Sequence, residues 1–135
     1  MGTQLLATCP CGVSHEVSIG GTRASRGVFD FPHACSGCRK VVSVNILSEP
    51  LTCPSCRGSA LSSYQASAAR VWMYKFMSSL PYSFQRKFWR GVSESPPFSH
   101  YCSKNQRTYS MFPLRQRCVK CSKNTLNFSL LSLFD

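Results

Sequence analysis

Eight of the nine cysteines stand in close pairs: Cys9-Pro10-Cys11, Cys35-Ser36-Gly37-Cys38, Cys53-Pro54-Ser55-Cys56 and Cys118-Val119-Lys120-Cys121. Two thiols one or two residues apart can reach one ion if the chain turns tightly between them. Such a turn favours glycine, which tolerates positive φ. Gly12 follows the first pair, Gly37 lies inside the second and Gly58 comes shortly after the third, whereas Ser122 and Lys123 follow the fourth. Structural Zn²⁺ takes four soft or borderline donors at tetrahedral corners, so one pair is half a site. The four pairs therefore predict two Zn²⁺ ions, with Cys9, Cys11, Cys35, Cys38, Cys53, Cys56, Cys118 and Cys121 as ligands.

Spacing leaves open which pairs share an ion. Sequence order favours Cys9/Cys11 with Cys35/Cys38, and Cys53/Cys56 with Cys118/Cys121. The alternative joins Cys35/Cys38 to Cys53/Cys56 and leaves the outer pairs for each other. Loop closure discriminates weakly, because its entropy grows only with the logarithm of loop length. Iron is the other metal such a donor set accepts. A redox reading fits Cys53-Pro54-Ser55-Cys56 alone and lacks the βαβ context it needs. Cys102, the ninth thiol, is expected to be a small apolar strand residue, with a sharper option in which Cys102 or His100 replaces a ligand. His33 is expected to hydrogen-bond a thiolate, and His15 has no claim on a site.

The elements that must position these thiols fall into three stretches. Residues 1–58 read as strands and turns. Val13, Val17 and Ile19 alternate with Ser14, Glu16 and Ser18, and Val42, Val44 and Ile46 repeat the pattern. Gly20-Gly21 ends the first of these strands and opens a loop, and Pro32 in "FDFPHA" suggests an edge strand. Residues 59–97 change character: 62–80 is free of Gly and Pro and spaced for a helix, which Pro81 ends or kinks. "SFQRKFWR" can add a turn or two, and "SESPP" reads as a linker. Residues 98–135 return to strands, with Leu126, Phe128 and Leu130 alternating. The expected fold is a small, zinc-bound, β-rich domain with two knuckle sites and a helical insertion.

The N-terminus "MGTQLLATCPCG" shows no basic n-region, apolar core or small-residue cleavage site, which predicts a cytoplasmic protein with reduced thiols. The disulfide reading loses weight accordingly. The most apolar run carries Lys75 and Pro81 and is too short to span a bilayer, so no membrane partner is expected.

"ATCPCGVSHEVSIGG", "FDFPHACSGCRKVVSVNILSEPLTCPSC" and "RCVKCSKNTLNFSLLSLFD" together resemble small bacterial zinc-ribbon proteins, which carry a CxCG knuckle, a CxxC, a CPxC and a final CxxC with a short strand after it. The resemblance covers most of 7–58 and 115–135 and implies a zinc-ribbon fold. It also implies Cys9, Cys11, Cys35 and Cys38 as one ligand set, with Cys53, Cys56, Cys118 and Cys121 as the other. It has no counterpart for 59–100 and speaks to fold more than to function.

Sixteen Lys and Arg face five Asp and Glu, a formal net charge of +11, and +9 of it falls in residues 59–135. Such a balance favours a polyanionic partner. In the middle stretch Arg70, Lys75, Arg86, Lys87 and Arg90 interleave with Trp72, Tyr74, Phe76, Tyr82, Phe84, Phe88 and Trp89. Cations neutralise phosphates and rings stack on bases, although rings at helical spacing more often form a core with a solvated basic rim. Arg115, Arg117, Lys120 and Lys123 bracket the last knuckle. The predicted function is a structural-zinc module contacting nucleic acid through Arg86, Lys87, Arg90, Arg115, Arg117, Lys120 and Lys123. The alternative is a scaffolding subunit docking on an acidic protein partner through its Trp/Phe-rich helix. No enzyme and no small-molecule substrate are expected, since closed four-thiolate sites offer no open coordination position.

Overall fold

In a computed structural model of the chain, the described residues are 2–21, 27–84 and 96–134. The alternating apolar residues near the N-terminus form a hairpin of β1 (Gly2–Thr8) and β2 (Ser14–Gly20), paired in full from Gly2/Gly20 to Thr8/Ser14. Leu5 and Ala7 of β1, Val13 just before β2, and Val17 and Ile19 within it are buried, the face that alternation selects. Gly20 ends β2 at φ +96°, a conformation that favours glycine. A second hairpin joins β3 (Asp30–Cys35) to β4 (Lys40–Asn45). Burial in β4 falls on Val41 and Val44, not on the expected Val42/Val44/Ile46 face, because Val41 sits opposite Ala34 and Val44 opposite Phe31.

Each hairpin receives a third strand. β8 (Asn127–Phe134) pairs antiparallel with β1, Thr8 opposite Asn127, and β5 (Leu61–Ser63) pairs antiparallel with β3, Cys35 opposite Leu61. The sheet order is β4-β3-β2-β1-β8, with β5 also on β3, and the two hairpins touch through Gly20 and Asp30. The same plan thus occurs twice, and the second unit is inserted whole between the strands of the first. Pro32 is not on an edge: β3 is interior, and the proline falls between the β2 pairing at Asp30 and the β5 pairing that starts at His33. That gap spares its missing N–H a ladder partner.

A separate ribbon of β6 (Phe98–Cys102) and β7 (Arg107–Met111) bridges the two units. Tyr109 lies 5.4 Å from the Phe29 ring and 5.9 Å from Phe31, Met111 is fully buried, and His100 Nε2 is 2.7 Å from Thr3 Oγ1 on β1. Tyr64 is the other tie. Its ring meets Phe128 edge-on at 5.3 Å and its hydroxyl donates to the Arg117 carbonyl at 3.0 Å.

The helix is shorter than its spacing predicts. α1 runs Ala68–Ser79, capped by Ser67, whose side chain accepts from the Arg70 N–H. Residues 61–64 go elsewhere because β3 takes Leu61–Ser63 as a partner and the core takes Tyr64. Nor do its rings build a core. No residue of α1 is buried, and it touches the body through Tyr74 against Phe112, at 5.8 Å, and Arg70 over the same ring, at 4.3 Å. After Pro81 the residues 82–84 make one further turn, with Phe84 N–H donating to the Pro81 carbonyl. The rest of "SFQRKFWR", residues 93–95 of the "SESPP" stretch and residues 22–26 lie outside the described residues. Among the described residues no helix is long and apolar enough to cross a membrane.

Leu5 is fully buried and Leu133 is 71% exposed on the same ladder. Leu5→Ala is expected to lower stability by about 2–5 kcal/mol, and Leu133→Ala by less than about 0.5 kcal/mol, in urea unfolding of the metal-loaded protein.

Candidate metal centres

The eight paired cysteines converge in two groups, Cys9/Cys11/Cys118/Cys121 and Cys35/Cys38/Cys53/Cys56, with all four sulfurs of each group within 4.8 Å of one another. This corrects the favoured pairing by sequence order, and with it the ligand sets implied by the resemblance. The alternative arrangement is the one formed. Strand pairing decides it: β8 on β1 carries the Cys118/Cys121 knuckle to the tip of the β1–β2 hairpin, and β5 on β3 carries Cys53/Cys56 to the tip of β3–β4.

The sulfur separations fit a single central ion. Cys9–Cys121 is 3.7 Å, Cys11–Cys118 3.6 Å, Cys35–Cys56 3.5 Å and Cys38–Cys53 3.7 Å. Four sulfurs about 2.3 Å from a Zn²⁺ would stand about 3.8 Å apart along each tetrahedral edge. A disulfide needs about 2.05 Å, and all nine cysteines are free. Either group can therefore hold a metal ion.

The knuckles share a backbone device. In the third, Cys53 N–H donates to the Gly58 carbonyl and Arg57 N–H to the Cys53 carbonyl, both at 2.8 Å; in the fourth, Cys118 N–H donates to Lys123 and Ser122 N–H back to Cys118, both at 2.9 Å. The residue after the second cysteine takes positive φ in every knuckle: Gly12 (+103°), Arg39 (+54°), Arg57 (+58°) and Ser122 (+60°). The missing glycine of the last knuckle is thus met by Ser122 in the left-handed conformation, at a local cost of about 1–2 kcal/mol.

Electrostatics within each group are those of donors awaiting a cation. The Thr125 hydroxyl, 3.0 Å from Cys9 Sγ, and the Cys11 N–H hold the Cys9 thiol down to about 6. Cys11, beside that thiolate and partly desolvated, is pushed up to about 12. In the other group the Cys38 N–H holds Cys35 down to about 7, while burial and the neighbouring Cys35 sulfur push Cys38 up to about 12. The Lys123 N–H lowers Cys121, and Cys56 is raised against the pull of the Gly58 N–H by the adjacent Cys35 sulfur and by burial. One ionised sulfur suppresses the next, as close like charges must.

Cys102 is buried at the end of β6 and belongs to neither group. His33 donates from Nδ1 to the Phe31 carbonyl at 2.8 Å rather than to a thiolate, and burial lowers its pKa, keeping it neutral. His100 is likewise lowered by burial and bonds Thr3. Arg115, Arg117, Lys120 and Lys123 are all exposed around the last knuckle, while Arg86, Lys87 and Arg90 lie outside the described residues. The sequence reading leaves two features of the sites unassigned. Thr125, which serves Cys9 across the fold, carries no signal in its local spacing. Arg39, Lys40 and Arg57, exposed beside the second and third knuckles, were legible as the residues flanking Cys38 and Cys56. No protein-family model, curated protein or solved structure matches the chain.

At pH 7 Cys11 and Cys38, both pushed up to about 12, carry protons that an incoming ion must expel. Metal uptake is expected to release at least one proton per group, so affinity rises with pH and weakens by at least about tenfold for each unit of acidification below 7. Calorimetric titration in buffers of different ionisation enthalpy counts those protons.

Proposed function

We propose that the chain is a structural-zinc module, built as one zinc ribbon inserted in another, that contacts nucleic acid through its basic C-terminal half. The observation that carries the zinc reading is the pair of four-sulfur groups, each with its sulfurs within 4.8 Å of one another and with two edges of 3.5–3.7 Å. The ribbon reading rests on the repeated plan of hairpin knuckle, second knuckle and third strand. An ion held by four thiolates has no open position for substrate, and the module is assigned no catalytic step. The thiolates serve as ligands only while reduced, which suits the cytoplasm. Each four-thiolate zinc brings a charge of −2, leaving about +7 overall. The exposed Arg115, Arg117, Lys120 and Lys123 are the described part of the surface offered to phosphates.

Elemental analysis of the purified protein is expected to give two zinc ions per chain, and exhaustive chelation to unfold it. A well-folded, metal-free sample would end this reading. For nucleic acid, affinity should fall steeply with salt as counterions are released; binding indifferent to salt, or none, would remove the second half of the proposal.

A protein partner is the second reading, favoured by the outer face of α1. Trp72 and Phe76 stack at 5.5 Å with their planes 12° apart and are 65% and 50% exposed. If that face docks on an acidic protein, Trp72→Ala should abolish the complex at unchanged zinc content, read by co-purification.

A further inference from the structure

A cleft of about 460 Å³ opens where the two units meet, with Cys118 of the outer four-sulfur group at one end of its lining. Ser62 and Ser63 of β5 and the following Gln65 form one wall, Arg117 and Ser122 of the last knuckle form another, and Arg70 enters from the first turn of α1. The lining holds two guanidinium groups and no carboxylate.

Its donors are placed and largely uncommitted. Arg70 rests over the Phe112 ring at 4.3 Å, a contact that holds the guanidinium beside the cleft. The Tyr64 hydroxyl, donating to the Arg117 carbonyl, anchors the backbone from which the second guanidinium projects. Ser63 Oγ accepts the Gln65 N–H at 3.1 Å, so its own proton remains to be given. The wall residues Gln116 and Ser36, by contrast, already donate to the carbonyls of Phe112 and Ala60. The helix starting beside the cleft has no acidic residue in its first turn, so the positive end of its dipole is uncompensated there. Positive charge with spare hydrogen-bond donors matches an anion whose oxygens only accept, and planar guanidinium groups suit phosphate in particular.

We propose that this cleft binds phosphate, with Arg70 and Arg117 gripping its oxygens and Ser62, Ser63, Gln65 and Ser122 donating to them. The phosphate of a nucleic-acid backbone and that of a free nucleotide share this chemistry; the polymeric source rests on the nucleic-acid reading above. The one ring in the lining, Tyr64, is buried and spent on Phe128. The cleft therefore reads phosphate and not base.

The test uses the zinc-loaded full chain and three probes: inorganic phosphate, a nucleoside monophosphate and a single-stranded oligonucleotide. Phosphate is expected to shift the amide resonances of Ser62, Ser63 and Arg117 in the unsubstituted protein. R70Q and R117Q, with zinc content and spectrum intact, should each weaken phosphate-ester binding by at least about tenfold, as for one lost charge-assisted hydrogen bond. Equal binding by sequences of different base composition supports the proposal too. Cleft resonances that move with monophosphate while the oligonucleotide binds nowhere would support the cleft with the nucleotide as source and refute the nucleic-acid reading. Oligonucleotide binding that K120Q and K123Q weaken, but R70Q and R117Q do not, would overturn the cleft and leave that reading standing. Silent cleft resonances with all three probes overturn the proposal outright.

Discussion

Four sulfurs held within a few ångströms of each other cannot all be ionised unless a cation stands between them. The architecture answers that constraint. Cys9 and Cys35 are lowered to about 6 and about 7, while the neighbours Cys11 and Cys38 are pushed to about 12, so each group is a donor set that could hold a metal ion. On the zinc reading proposed above, each bound ion would contribute about 10–16 kcal/mol of apparent binding energy to folding. The buried cluster is a single layer running from Leu5 and Ile19 through Phe31 to Leu126 and Phe128, and the helix adds no buried residue to it.

The two units share one sheet through β2 and β3 and one buried cluster, and specific side-chain ties add to that junction. Tyr64 leaves the inner unit to bond beside the outer knuckle, and the β6–β7 ribbon reaches both through Tyr109 and His100. Burial pushes the Tyr64 hydroxyl up to about 12, with the nearby Cys118 sulfur adding to it, so it stays a donor at any ordinary pH. These ties leave the cleft between the units open, lined by cations from the last knuckle and from the start of α1.

The thiols and the first hairpin were the legible part of the sequence. Paired cysteines beside tight turns state their chemistry in their spacing, and Val13, Val17 and Ile19 state the buried face of β2 in their alternation. The partner of each knuckle was not legible. Separations of 15 residues for Cys38–Cys53 and 107 for Cys11–Cys118 differ little in closure entropy. The choice is made by Leu126 and Phe128 entering the core beside β1, a long-range event that no local pattern records. The helix failed in a related way. Residues 62–64 have helical spacing, but an unpaired β3 and a hydrophobic slot for Tyr64 outweigh weak propensity. Trp72 and Phe76 of α1 have the spacing of a core helix and are nonetheless exposed, because spacing reports which side chains share a face and not what covers that face.

Insertion of one unit inside the other also sets an order of assembly. A chain emerging from its N-terminus presents Cys9 and Cys11 first, yet these remain half a binding site until residue 121 has been synthesised. The inner quartet is complete by Cys56, and its third strand follows at once. During translation the inner ligands can therefore capture an ion while Cys9 and Cys11, made before them, are still without partners, so the outer group is protected only after the inner one.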